Sequence, residues 1–85
     1  MFVPEEIKRV IEALQSNGYL TYLVGGCVRD SLIGSKPKDY DIATSATPEK
    51  VIEIFDKSIP TGIQHGTVTV IEDGEHIEVT FRKGI

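Results

Sequence analysis

The spacing of apolar positions changes several times along the chain, and each change marks an element. Ile7, Val10, Ile11 and Leu14 fall at the i, i+3, i+4, i+7 positions of one helix face. Pro4 suits the first turn, Glu5 and Glu6 complement the N-terminal dipole, and Asn17-Gly18 is a stop signal. The run YLTYLV then reads as a strand ending at Gly25-Gly26. A short helix from Cys27 to Ile33, closed by Gly34, leads into the loop GSKPK. A second strand is predicted from Asp39 to Ala43. Thr47-Pro48-Glu49 opens a further helix, with a hydroxyl cap, proline at the first position and Val51, Ile52, Ile54 and Phe55 as its apolar face. After Pro60, TVTVI and HIEVTF alternate with period two around Asp73-Gly74, a hairpin signal. The order helix, strand, helix, strand, helix, hairpin predicts an α/β (α+β) domain: a small mixed sheet with helices on one face.

Period two also assigns faces. In HIEVTFR, Ile77, Val79 and Phe81 point one way while His76, Glu78, Thr80 and Arg82 point the other. Asp39, Asp41 and Ala43 share a face opposite Tyr40 and Ile42, and Thr67 and Thr69 oppose Val68 and Val70. With helices on the apolar side, the polar side carries three acids: Asp39, Asp41 and Glu78.

Composition narrows the function classes. A chain of 85 residues, 40% hydrophobic and 26% charged, is one small globular domain. No apolar run is long enough to span a membrane, and MFVPEEIKRV lacks a secretory pattern. The lone Cys27 forms no internal disulfide and suits a cytoplasmic protein. A net charge of −4 is the wrong sign for a surface that grips nucleic acid by its phosphates.

Two stretches carry chemistry. Asp39 and Asp41, at i and i+2 of a strand, lie about 6.5–7 Å apart at Cα on one side and can converge on divalent cations. Oxygen-only ligands select Mg²⁺, held by one or two carboxylates plus substrate phosphates. Read alone, such a pair is more often a solvated strand-end feature. In LVGGCVRD, Gly25 and Gly26 permit close backbone approach, the amides opening the next helix favour an anion, and Arg29 offers a planar fork for phosphate. Read alone, this is a tight turn with a surface arginine paired to Asp30. Together, a phosphate-accepting turn and a metal-binding acid pair make up the equipment of nucleotidyl transfer. His65, His76 and Cys27 have no ligand-like spacing and read as ordinary loop, strand and core residues.

The combination G-G-x-V-R-D with a following D-x-D, continued through IPTGIQHGTVTVIEDGEHIEVTFR, resembles the head domain of bacterial class II CCA-adding tRNA nucleotidyltransferases and poly(A) polymerases, within the polymerase-β superfamily. The resemblance covers nearly the whole chain. It implies that Asp39 and Asp41 are the metal-binding catalytic pair and that Glu78 is the third carboxylate. It also implies that Gly25, Gly26 and Arg29 hold the incoming nucleotide. The implied reaction moves CMP or AMP from CTP or ATP to a tRNA 3′ end, with two Mg²⁺. One departure stands out: the family's run E-V-T-T-F-R appears as Glu78-Val79-Thr80-Phe81-Arg82, one threonine short, which leaves Arg82 without a transferable role. Residues 1–85 are expected to be an incomplete head lacking the neck, body and tail, and so of low activity alone. The alternative is a non-catalytic fragment that self-associates, as a homo-oligomer, through an exposed sheet edge or apolar face.

Overall fold

The computed structural model describes residues 3–24 and 40–84. The elements are α1 (Glu5–Ser16), β1 (Thr21–Val24), β2 (Tyr40–Thr44), α2 (Pro48–Ile54), β3 (Ser58–Gly62), a 3-10 turn (Ile63–His65), β4 (Thr67–Glu72) and β5 (Glu75–Phe81). Among the described residues, five strands form one sheet in the order β1-β2-β5-β4-β3. The β2–β5 pair is parallel and the other pairs are antiparallel, so the sheet is mixed as expected. The helix expected from Cys27 to Ile33 lies outside the described residues.

Helix α1 follows its apolar period: Ile7, Val10 and Leu14 are fully buried. Pro4 stands at the cap rather than inside the first turn. At the other end the amides of Gly18 and Tyr19 donate to Gln15 and Leu14, and Gly18 takes a positive φ of 89°. Helix α2 starts at Pro48 as predicted, with Thr47 as the cap residue, but the Thr47 hydroxyl makes no capping hydrogen bond. Its apolar face is narrower than expected. Val51 is buried, Ile54 and Phe55 pack against the core, and Ile52 turns outward. Seven residues make about two turns, too few to place all four apolar side chains on the core side.

The two helices cover one face of the sheet. Beneath them lie Tyr40 and Ile42 of β2, Val68 and Val70 of β4, and Ile77 and Val79 of β5. The β4–β5 hairpin closes at Asp73 (φ 49°) and Gly74 (φ 78°), and two consecutive positive φ values match the right-handed twist of the flanking strands. Arg9 of α1 reaches this tip, donating from Nε to Glu72 (3.1 Å) and from Nη2 to Asp73. The hydrogen bond to Glu72 is the main reason the guanidinium pKa rises above its ordinary value. The pair is half-exposed, so its contribution to stability is small.

Strand β3 has no counterpart in the sequence expectation, which placed β structure only after Pro60. It occupies a sheet edge and pairs with β4 through Ser58↔Val70, Ile59↔Thr69 and Gly62↔Thr67, with a register shift between Ile59 and Gly62. The Lys57 carbonyl accepts from the Ile71 amide (2.9 Å), so residues 57 and 59 face β4 while Pro60 faces outward. An outward position on an edge strand is one where a missing N–H breaks no ladder bond. Pro60 also deprives that edge of a donor that a second chain could use.

Threonines fix the register between β1 and β2. The buried Thr44 hydroxyl donates to the Leu20 carbonyl (3.0 Å), accepts from the Ala46 amide (3.3 Å) and pairs with the Thr21 hydroxyl (3.3 Å). The Leu20 amide donates to the Ser45 hydroxyl (3.0 Å), and the Ser45 amide returns to the Leu20 carbonyl (3.0 Å). This clasp sets Thr21 against Thr44 and, three residues along, Val24 against Asp41.

Candidate metal and nucleotide site on the open face of the sheet

Alternation puts every second residue of each strand on the face turned away from the helices. On β5, Ile77 and Val79 are fully buried while Glu78 between them is exposed. On β2, Tyr40 and Ile42 are buried while Asp41 is half-buried on the other side. The parallel pairing then does what periodicity alone could not: it makes Asp41 and Glu78 direct register partners. Adjacent strands lie about 4.7–4.9 Å apart, so two carboxylates rise side by side from neighbouring strands.

The row continues in both directions. Val24 of β1 stands beyond Asp41, and Thr69 of β4 beyond Glu78. The Thr69 hydroxyl, nearly buried, shares a short bond (2.7 Å) with Thr61 of β3. One step along, Thr67 and Thr80 pair through their hydroxyls at 2.9 Å. The open face therefore has an acidic centre, a hydroxyl-lined flank on β3–β4–β5, and an apolar flank on β1 where Tyr22 is 52% exposed. The alternation of TVTVI gives the face of Thr69, and the register of the β4–β5 hairpin sets it beside Glu78, whereas Thr61 belongs to the unanticipated strand.

Of the expected site residues, Asp41 and Glu78 are brought together. Asp39, Gly25, Gly26 and Arg29 lie outside the described residues. Chain connectivity still carries information about their setting. Val24, the last residue of β1, is the register partner of Asp41, the second residue of β2. The chain thus leaves β1 and re-enters β2 at the same end of the sheet, beside the acid pair.

The donor set fits a hard cation. Both groups are carboxylates, they share a face, and side-by-side like charges repel unless a counter-charge lies between them. Among the described residues, no third His, Cys, Asp or Glu joins them to make a larger ligand cluster. Two carboxylates with remaining positions for water and phosphate oxygens is the donor count Mg²⁺ uses. No helix among the described residues is long and apolar enough to cross a membrane.

Comparison with known proteins agrees with this architecture. A CCA-adding enzyme of Lactobacillus delbrueckii subsp. bulgaricus is 58% identical over 71 residues, covering 84% of this chain and 18% of the relative. The crystal structure of the Bacillus stearothermophilus CCA-adding enzyme in complex with CTP superposes with a TM-score of 0.86 at 48% identity, over 93% of this chain and 20% of that one. The Thermotoga maritima CCA-adding enzyme complexed with tRNA shares the fold, with a TM-score of 0.74 at 20% identity over 96% of this chain and 22% of its own. The chain thus spans about a fifth of the length of the relatives it matches. The poly A polymerase head domain matches residues 21–84, and the chain belongs to that family.

Proposed function

We propose that this chain is the metal- and triphosphate-binding part of a CCA-adding type nucleotidyltransferase, an incomplete head that acts on CTP and ATP. The observation that carries the reading is the register pairing of Asp41 with Glu78 on the open face, at the end where β1 hands over to residues 25–39. Asp39 and Asp41 are assigned as ligands of Mg²⁺, with Glu78 as the third carboxylate. Gly25, Gly26 and Arg29 are assigned to the triphosphate. Mg²⁺, when bound, supplies charge neutralisation at the phosphates and a lower pKa for an attacking hydroxyl. The protein's own part is to hold two carboxylates side by side on the sheet, so that they need little rearrangement when a cation arrives.

The relatives point to the substrates: the Bacillus stearothermophilus protein is seen with CTP, and the Thermotoga maritima protein with tRNA. For this chain, CMP and AMP transfer to a tRNA 3′ end in the cytoplasm is the corresponding proposal. Base selection and tRNA grip are assigned outside these residues, in keeping with a net charge of −4. The reading predicts weak, Mg²⁺-dependent binding of CTP and ATP with little preference between them. Amide NMR at Val24 and residues 40–43, at millimolar nucleotide with Mg²⁺, checks it. The expected result is saturable perturbation by both nucleotides, abolished in Asp41→Ala. No perturbation, or the same perturbation in the variant, contradicts the reading.

A further inference from the structure

We propose that Tyr22 is a stacking platform for a base of the single-stranded nucleic acid that the site extends. The proposal rests on the nucleotidyl-transfer reading of the open face. Tyr22 is 52% exposed, although the adjacent residues Thr21 and Leu23 are buried and packed against the core, respectively. Its strand position settles its direction. Tyr22 pairs with Ala43 and shares a face with Val24, whose partner is Asp41. The ring therefore rises from the same face as the two carboxylates, about 6.5–7 Å along β1 from the residue beside Asp41. Stacked nucleotides rise about 3.4 Å each, so this offset is one that the base one or two positions from the reacting end can bridge.

The surroundings suit a base better than a phosphate. The cross-strand neighbour Ala43 is small and itself buried, so the exposed surface of the ring is the side turned to solvent. Where the end of α1 meets β1, a groove of about 320 Å³ reaches Tyr22, lined also by Gln15, Gly18, Tyr19, Leu20 and Thr21. Among the described residues, no lysine or arginine lines this groove. An acidic protein that cannot draw RNA in by its phosphates can still hold it by stacking, which contributes roughly 1–3 kcal/mol per base. Tyr22 is not a catalytic residue in this account. It fixes where the acceptor lies relative to Asp41 and Glu78.

The test uses the 85-residue chain, the RNA trinucleotide AAA, and an abasic trinucleotide of the same length, followed by NMR of the tyrosine rings. Saturable upfield shifts of the Tyr22 ring protons with AAA, absent with the abasic strand, are expected. Tyr22→Leu should weaken AAA binding about tenfold, the equivalent of 1.4 kcal/mol, while Tyr22→Phe keeps it. Both variants preserve exposed apolar surface, so folding is not at stake. Equal binding by Tyr22→Leu and the parent, or equal loss in Tyr22→Phe and Tyr22→Leu, overturns the proposal. A separate Mg²⁺ titration of the Asp41 and Glu78 amides tests the underlying reading. If Mg²⁺ shifts those amides and AAA leaves Tyr22 untouched, the platform alone fails. If AAA shifts Tyr22 and Mg²⁺ does nothing, stacking stands and the metal reading fails.

Discussion

On β5, Ile77 and Val79 look down into the helices and are fully buried, while Glu78 between them looks up and is exposed. The same division runs across β2, with Tyr40 and Ile42 below and Asp41 above. The lower face collects the apolar side chains of α1, α2 and three strands and supplies the stabilising burial. The upper face carries adjacent like charges, a configuration that costs stability. The apolar core and the acid pair are thus set back to back in the same strands, and substitutions a single residue apart should act in opposite directions.

The largest expected effect is on the lower face. Ile42→Ala removes a fully buried side chain from the middle of the sheet and should cost about 2–5 kcal/mol, a large share of what a small domain has. Urea denaturation would read this as a lower midpoint at unchanged slope. The neighbouring change on the upper face should run the other way. Asp41→Asn relieves repulsion with Glu78 and should stabilise the fold by a few tenths to about 1 kcal/mol at low salt, with the gain shrinking as salt rises. A loss of stability in Asp41→Asn would break the contrast between the faces. The smallest effect on stability belongs to the β3 edge. Pro60→Val restores an outward N–H and should leave the urea midpoint nearly unchanged while raising concentration-dependent self-association, measured by light scattering. A variant that stays as monomeric as the parent would show that Pro60 does not guard the edge.

How much of this was legible beforehand follows from what a period can encode. Alternation with period two assigns faces, so the separation of Ile77 and Val79 from Glu78, and of Ile42 from Asp41, is written in the local sequence. Alternation does not name the neighbouring strand. The pairing of Asp41 with Glu78 depends on β2 and β5 lying parallel, which the core packing of Ile42 and Val79 and the hydrogen bond from the Arg82 amide to the Thr44 carbonyl (2.9 Å) establish at long range. Strand β3 was hidden for a different reason. SIPTG has no alternating pattern because it lies on an edge with both faces largely exposed, and its proline is a poor strand signal except at such an edge. At Thr47 the residue type marked the helix start correctly although its hydroxyl is not used, since Pro48 and the dihedral angles suffice to begin the helix. Tyr22 stood in YLTYLV as one more strand former, and only the β1–β2 register shows that it shares a face with the acids.

If Asp39 and Asp41 seat a divalent cation with Glu78 as the third carboxylate beside them, Asp41 and Glu78 should answer it together, and titration with Mg²⁺ alone tests this most directly. NMR of the two side-chain carboxyl carbons should show both moving together along one saturation curve, and both responses should disappear in Asp41→Asn. If either carboxylate stays still while the other responds, or if Glu78 responds unchanged in Asp41→Asn, the two acids do not form a joint site.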